Sequence, residues 1–155
     1  MTVRIQREPF DAAAEAKAIA AGRTDIGAVV TFTGICRGAD DGRPVAALTL
    51  EHYPGMAEAE IERHVAEAQA RWPLMGVTVI HRFGRMEPGD DIVLVVTASS
   101  HRGDAFAAAE FLMDFLKTRA PFWKKEERPG ETGWVAAKDV DDTAAARWEN
   151  GAEGT

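Results

Sequence analysis

A single cysteine in 155 residues, Cys36, excludes an internal disulfide and any multi-cysteine zinc or iron–sulfur centre built from this chain alone. Long apolar runs are also missing. The opening MTVRIQREPF has no apolar core of signal-peptide length, and later runs are broken by charge before the roughly 20 residues that a membrane span requires. Positive charge is in deficit, with 18 Lys and Arg against 25 Asp and Glu, for a formal net charge of -7. Such a chain has no general attraction to nucleic acid or to an anionic membrane, so an anionic ligand must be held by a local cluster working against the overall field. Gly22, Gly27 and Gly34 fit neither GxGxxG nor GxxxxGK, and the four histidines include no HExxH pair, so neither a nucleotide loop nor a metal site is expected. A reducing cytoplasm suits this composition.

What is present is the composition of a globular domain, 46% hydrophobic and 28% charged, in a chain long enough to bury a core. The segment DAAAEAKAIAA predicts a helix capped by Asp11 and ended by Gly22. IGAVVTFTG (26–34) and VAALTLEHY (45–53) predict strands separated by the exposed loop CRGADDGRP. Ile61, Val65, Ala68 and Trp72 recur at helical spacing from Met56 until Pro73 stops the pattern. GVTVIHRFG (76–84) and DIVLVVTASS (91–100) predict an antiparallel hairpin turning at Pro88–Gly89, and a further helix is expected over 104–118, ending before Pro121. WVAAKDV (134–140) is a last expected strand. The pattern is one α+β domain over 1–147, with the polar, glycine-rich WENGAEGT (148–155) as a frayed tail.

Cations gather around the helix at 104–118. Glu110, Asp114 and Lys117 form a narrow polar stripe, whereas Phe106, Ala109, Met113 and Leu116 form the opposing apolar face. Lys117 then sits at a protected edge, either as an ordinary helix-end lysine paired with Asp114 or as part of an anion pocket. Downstream, APFWKKE is stiffened by Pro121, and Lys124 and Lys125 point to opposite sides if it is extended. His101 and Arg102 precede the helix, and Arg37 lies in the loop after a strand. Each alone is more often a surface cation. Together they offer a guanidinium fork for phosphate or carboxylate, an imidazole for proton transfer, and an ammonium whose charge burial disfavours. Cys36 beside Arg37 could be a low-pKa thiol, but it has no companion cysteine and is expected instead to be a small buried hydrophobe or a loop residue.

An ordered set of segments carries a resemblance: GAVVTFTGICR (27–37), LEHYPGM (50–56), VTVIHRFG (77–84), SSHRGDAFAAAEFLMDFLK (99–117) and APFWKKE (120–126), continuing through Trp134 and Val135. The chain resembles the large, catalytic subunit of molybdopterin synthase. That resemblance implies a single-domain α/β hammerhead with an additional antiparallel sheet. The implied activity is a sulfurtransferase step of molybdenum cofactor synthesis, converting cyclic pyranopterin monophosphate (precursor Z) to the molybdopterin dithiolene without a resident cofactor. The implied sulfur donor is a small ubiquitin-like subunit whose C-terminal Gly-Gly carries a thiocarboxylate, in a heterotetramer built on a homodimer of large subunits. By motif the resemblance places the catalytic lysines at Lys117 and Lys124 and substrate binding at Arg37, His101 and Arg102, with Phe32 and Met113 shaping the pocket and Cys36 given no catalytic part. The contrasting expectation is a noncatalytic docking scaffold for a ubiquitin-like partner, in which the cations only steer a terminal carboxylate.

Overall fold

In the computed structural model, which describes residues 1–129, 131–135, 144–146 and 148–149, the chain runs β1 (Thr2–Gln6), α1 (Ala12–Ala20), β2 (Ala28–Ile35), β3 (Ala39–Asp40), β4 (Arg43–Pro44), β5 (Ala47–His52), α2 (Met56–Arg71), β6 (Leu74–Arg82), β7 (Gly84–Met86), β8 (Asp91–Ser99), α3 (Arg102–Thr118), β9 (Phe122–Arg128) and β10 (Glu131–Val135). Local chemistry fixes the helix ends. The Asp11 carboxylate accepts the Ala14 amide at 3.0 Å to cap α1, and Glu58 accepts the Gly55 amide at 2.6 Å at the start of α2. Pro73 follows directly on the C-cap of α2, where a missing amide costs nothing to the helix.

Two four-stranded sheets result, in the orders β1-β6-β8-β2 and β10-β9-β5-β7. In the first, β1 runs parallel to β6 and the other pairs are antiparallel; the second is antiparallel throughout. The α+β class and the additional antiparallel sheet are both present. Alternation along β6 and β8 divides the core. Val77, Val79, Val93 and Val95 join residues of α2 and α3, including Ile61, Val65, Leu112 and Phe115, whereas Ile80, Leu94 and Val96 meet Phe10 and Ile19 on the α1 side. Both faces of the first sheet are thus covered, which is why β8 is buried from Val93 to Ser99.

Several expectations need correction. Strands β6 and β8 are antiparallel neighbours, but they do not form a simple hairpin: the chain between them turns at Gly84 (φ 92°) and contributes β7 to the other sheet. Within the expected loop at 36–44, Asp41 (φ 51°) and Gly42 (φ 76°) close the two-residue turn of the β3–β4 hairpin, a conformation that Asp-Gly tolerates well. Phe106, assigned to an apolar face, is 60% exposed, because the buried side of α3 is carried by Phe111, Leu112 and Phe115 as well. Trp148, assigned to the tail, is packed: its ring meets Trp72 and Phe111 edge-on at 5.7 Å, and its indole N–H donates to Asp114. Strand β10 covers 131–135; the rest of the expected strand at 136–140 lies outside the described residues. No helix among the described residues is long and apolar enough to cross a membrane.

Gly27, just ahead of β2, donates its amide to the Ser99 carbonyl at 2.9 Å, and a Cβ there would lie 2.1 Å from the Ser100 carbonyl oxygen. At Gly76 a Cβ would instead lie 2.6 Å from Cγ1 of Ile19, a side chain on α1 that must shift to admit it, whereas the obstacle at Gly27 is main chain. Gly27→Ala is therefore expected to lower stability by about 2 kcal/mol and Gly76→Ala by clearly less, as measured by urea unfolding.

Candidate active site

Helix α3 packs on the first sheet, and only residues 119–121 separate its last turn from β9 in the second. At that junction lies a cavity of about 500 Å³. Arg37 reaches it from the loop after β2, His81 from the end of β6, Lys117 from the last turn of α3, and Trp123 and Lys124 from β9, with Leu48, Leu50, Met113 and Phe122 among its apolar lining. Three of the five predicted site residues are thus brought together. Lys125 is not among the lining residues; it sits opposite Thr49 and Trp134 in the ladder while Lys124 sits opposite Leu50.

His101 and Arg102 are elsewhere. They occupy the exposed N-terminal end of α3, and fifteen helical residues at 1.5 Å each put Arg102 roughly 22 Å along the axis from Lys117. His101 is the N-cap by position, but its side chain makes no capping hydrogen bond. Phe32 does not line the cavity either and is 39% exposed. Lys117 is exposed at the cavity, not held at the protected edge expected for it. A smaller cavity of about 260 Å³ between α2 and α3 also contains two arginines, but Arg71 pairs with Glu67 and Arg119 with Glu149, leaving it little excess positive charge.

His81 is the lining residue whose part sequence reasoning missed. It is 6% exposed and stacks on Phe122, with ring centroids 4.0 Å apart and planes inclined by 16°. Its Nδ1 lies 2.9 Å from the Arg82 carbonyl oxygen, which can only accept, so Nδ1 carries the proton and Nε2 keeps its lone pair. Burial lowers its pKa to about 4; the Arg82 hydrogen bond opposes the shift, and the charges of Lys117 and His52 add to it. The ring is neutral near pH 7. A strand histidine gives no signal of this in sequence, because the stacking partner comes from β9, about 40 residues away.

A profile of the MoaE protein family matches residues 5–119. The molybdopterin synthase catalytic subunit of Mesorhizobium japonicum is 62% identical over 154 residues, covering 98% of this chain and 96% of that protein. The subunit of the same description from Rhizobium meliloti is 63% identical over 150 residues, 96% of each chain. Among solved structures, a molybdopterin biosynthesis MoaE protein from Burkholderia ambifaria superimposes with a TM-score of 0.80 at 52% identity, covering 96% of this chain and 97% of that one. This chain belongs to the MoaE family. Its fold is also that of one chain in a complex of subunits 1 and 2 of molybdopterin-converting factor from Helicobacter pylori, at a TM-score of 0.70 and 22% identity over 88% of this chain and 90% of that one.

In this member of the MoaE family the loop carrying Arg37 is tied to the second sheet. Arg128 pairs with the buried Glu126, lies 3.8 Å from Asp40, and donates to the carbonyls of Arg43 and Pro44 at 3.2 and 3.3 Å. Asp40 in turn accepts from Arg37 at 3.3 Å, an exposed pair that orients the guanidinium more than it stabilises the fold. Neighbouring Cys36 is buried. Burial raises its thiol pKa, Asp90 and Glu126 act in the same direction, and Lys124 opposes them, so the group remains a thiol rather than a nucleophilic thiolate.

The His81 shift has a consequence for stability. Its folded pKa lies below the ordinary histidine value, so on acidification the unfolded chain takes up the proton first, and stability falls as pH drops from about 6.5 to about 4. The contribution of this one ring is about 3 kcal/mol across that window. His64, also lowered, chiefly by burial, acts in the same sense. Urea unfolding at successive pH values is expected to show a shallower acid-side slope for His81→Phe than for the unmodified protein.

Proposed function

We propose that this chain is the catalytic subunit of a cytoplasmic molybdopterin synthase. In this reading it transfers sulfur from the thiocarboxylated C-terminus of a small ubiquitin-like subunit to cyclic pyranopterin monophosphate, forming the molybdopterin dithiolene. The observation that carries it is the convergence of Arg37, Lys117 and Lys124 on one cavity in an acidic member of the MoaE family. Three cations in a space of this size suit a ligand with both a phosphate and an approaching carboxyl-type terminus. Arg37 grips one of these anions with its fork. Lys117 serves the chemical step, either as proton acceptor and donor or as transient acyl acceptor. In the second role its neutral amine attacks the thiocarboxylate carbon, a C–N bond forms, the C–S bond breaks, and sulfide leaves toward the pterin while the amine proton is released. Lys124 acts as a positioned charge beside it.

His101 and Arg102 enter this reading through a second copy of the chain. A single helix holds them far from Lys117, but Phe106, one turn further along α3, is exposed, and so are Val29 and Phe32 on β2, an edge strand against which α3 packs. An apolar face of that kind supports a homodimer of large subunits in which Arg102 contributes phosphate binding and His101 a proton to the partner's pocket.

With preformed thiocarboxylated small subunit, Lys117→Ala is expected to lower dithiolene formation by at least about a hundredfold and Lys124→Ala by about ten- to a hundredfold. Lys125→Ala is expected to stay within about twofold. Binding of both partners without any conversion by the unmodified protein would return the chain to a docking scaffold. Mixing inactive Lys117→Ala with inactive Arg102→Ala protein tests the shared pocket: random exchange leaves one intact pocket in each mixed dimer, restoring about a quarter of full activity, whereas no recovery removes Arg102 from the partner's site.

A further inference from the structure

The polar side chains of the cavity are unevenly matched. Arg37, Lys117, Lys124 and the Trp123 indole carry donors only, and the Thr118 hydroxyl gives its proton to the Asp114 carbonyl at 2.7 Å. His81 is different. Its Nδ1 is committed to the Arg82 carbonyl, and its Nε2 lone pair has no hydrogen-bonding partner among the described residues. Every fully sealed side-chain nitrogen or oxygen among those residues is satisfied, so Nε2 is not sealed in the core, and the space its ring lines is the cavity. A side chain 94% buried, stacked on Phe122 and held in one tautomer, therefore leaves an unpaired acceptor open to the ligand space.

We propose that His81 is a specificity-determining residue of this cavity, its Nε2 accepting a hydrogen bond from an N–H or O–H group of the bound substrate while Arg37, Lys117 and Lys124 take the anionic oxygens. This deepens the function proposed above and rests on it, since a pterin bears ring N–H and amino donors alongside its phosphate. His81 is not a proton carrier. Lys117 on α3 and His52 on β5 both act against its charge, its ladder neighbours Ile5 and Val93 on β1 and β8 are apolar, Arg82 uses its guanidinium on the carbonyls of Arg7 and Asp91, and no carboxylate contributes to its titration. A fixed neutral acceptor among cations separates ligands by what they donate. A simple oxyanion is held by the cations alone, but a ligand that lacks a donor at this point leaves Nε2 unpaired.

The experiment compares cyclic pyranopterin monophosphate with sulfate, an anion without donors, by calorimetric titration of the unmodified protein, His81→Phe and His81→Gln. His81→Phe keeps the ring stack and removes the acceptor, and it is expected to weaken substrate binding about ten- to a hundredfold while changing sulfate binding less than about twofold. His81→Gln, whose amide oxygen extends as far as Nε2, is expected to recover part of the loss. Undiminished substrate binding by His81→Phe overturns the proposal, as does an equal loss of sulfate and substrate, which reduces the ring to a wall of the pocket. The ¹⁵N resonances of His81 in the unmodified protein give a test that does not depend on folding of a variant. A neutral ring bearing its proton on Nδ1 at pH 7 supports the assignment, and an Nε2–H tautomer or a doubly protonated ring overturns it. Failure of the unmodified protein to bind cyclic pyranopterin monophosphate counts against the proposed function alone, and the ring spectrum then decides the role of His81.

Discussion

The candidate site depends on a connection three residues long. The amides of Arg119 and Ala120 both bond to the Phe115 carbonyl, at 2.8 and 3.2 Å, and the Phe122 amide bonds to Ala120 at 2.7 Å, so the chain leaves the helix and enters β9 without slack. Pro121 has no amide with which to prolong the helix. A connector of this length spans on the order of 10 Å, which obliges the end of a helix resting on one sheet to lie beside a strand of the other. Lys117 and Lys124 are neighbours for that reason, and the apolar anchors Leu116 and Phe122 fix the two ends of the connection.

Cations converging in this way would repel one another in a basic protein. Here the chain as a whole is acidic, and carboxylates are used locally: Asp40 and Glu126 take up Arg128 and, through Asp40, Arg37. The loop after β2 is thus clamped by a partly buried ionic cluster whose own charges are balanced, while Lys117 and Lys124 supply positive charge to the ligand space. The neutral His81 ring fits this arrangement, because a further positive charge in the same place would have to be paid for by the fold.

The elements set by local chemistry were legible in the sequence: the Asp11 cap, the stop at Pro73, and the alternation that orients Leu50 and separates Lys124 from Lys125. The pairing of β6 with β8 followed from two β-branched runs separated by a turn. The diversion of residues 84–86 into a second sheet did not, since three residues carry no periodicity and the positive φ at Gly84 has no strand signature of its own. Phe106 misled because the i, i+3, i+4 rule marks an apolar stripe without saying which part of a mostly apolar helix meets the core. Arg37, Lys117 and Lys124 could be grouped by their motifs, and the remoteness of His101 and Arg102 was already implied by the expected helix over 104–118 although the grouping overlooked it, whereas His81 is defined by a cross-sheet contact that no local pattern encodes.

Strand β6 carries two kinds of information at once. Its odd positions, Val77, Val79 and His81, face α3 and the ligand space, while Ile80 faces α1, and its end leads straight into the corner at Phe83 and Gly84 that starts β7. Exchanging one aliphatic side chain for another leaves that arrangement intact. Adding or removing a single residue between Val77 and His81 inverts every side chain on one side of the change and displaces the corner as well. The two-residue turn at Asp41 and Gly42 is under no such demand, because the hairpin it closes has only two rungs. Tolerance of insertions and deletions should therefore be sharply uneven along this chain, high at the β3–β4 tip and low in the strand that leads from the first sheet into the second.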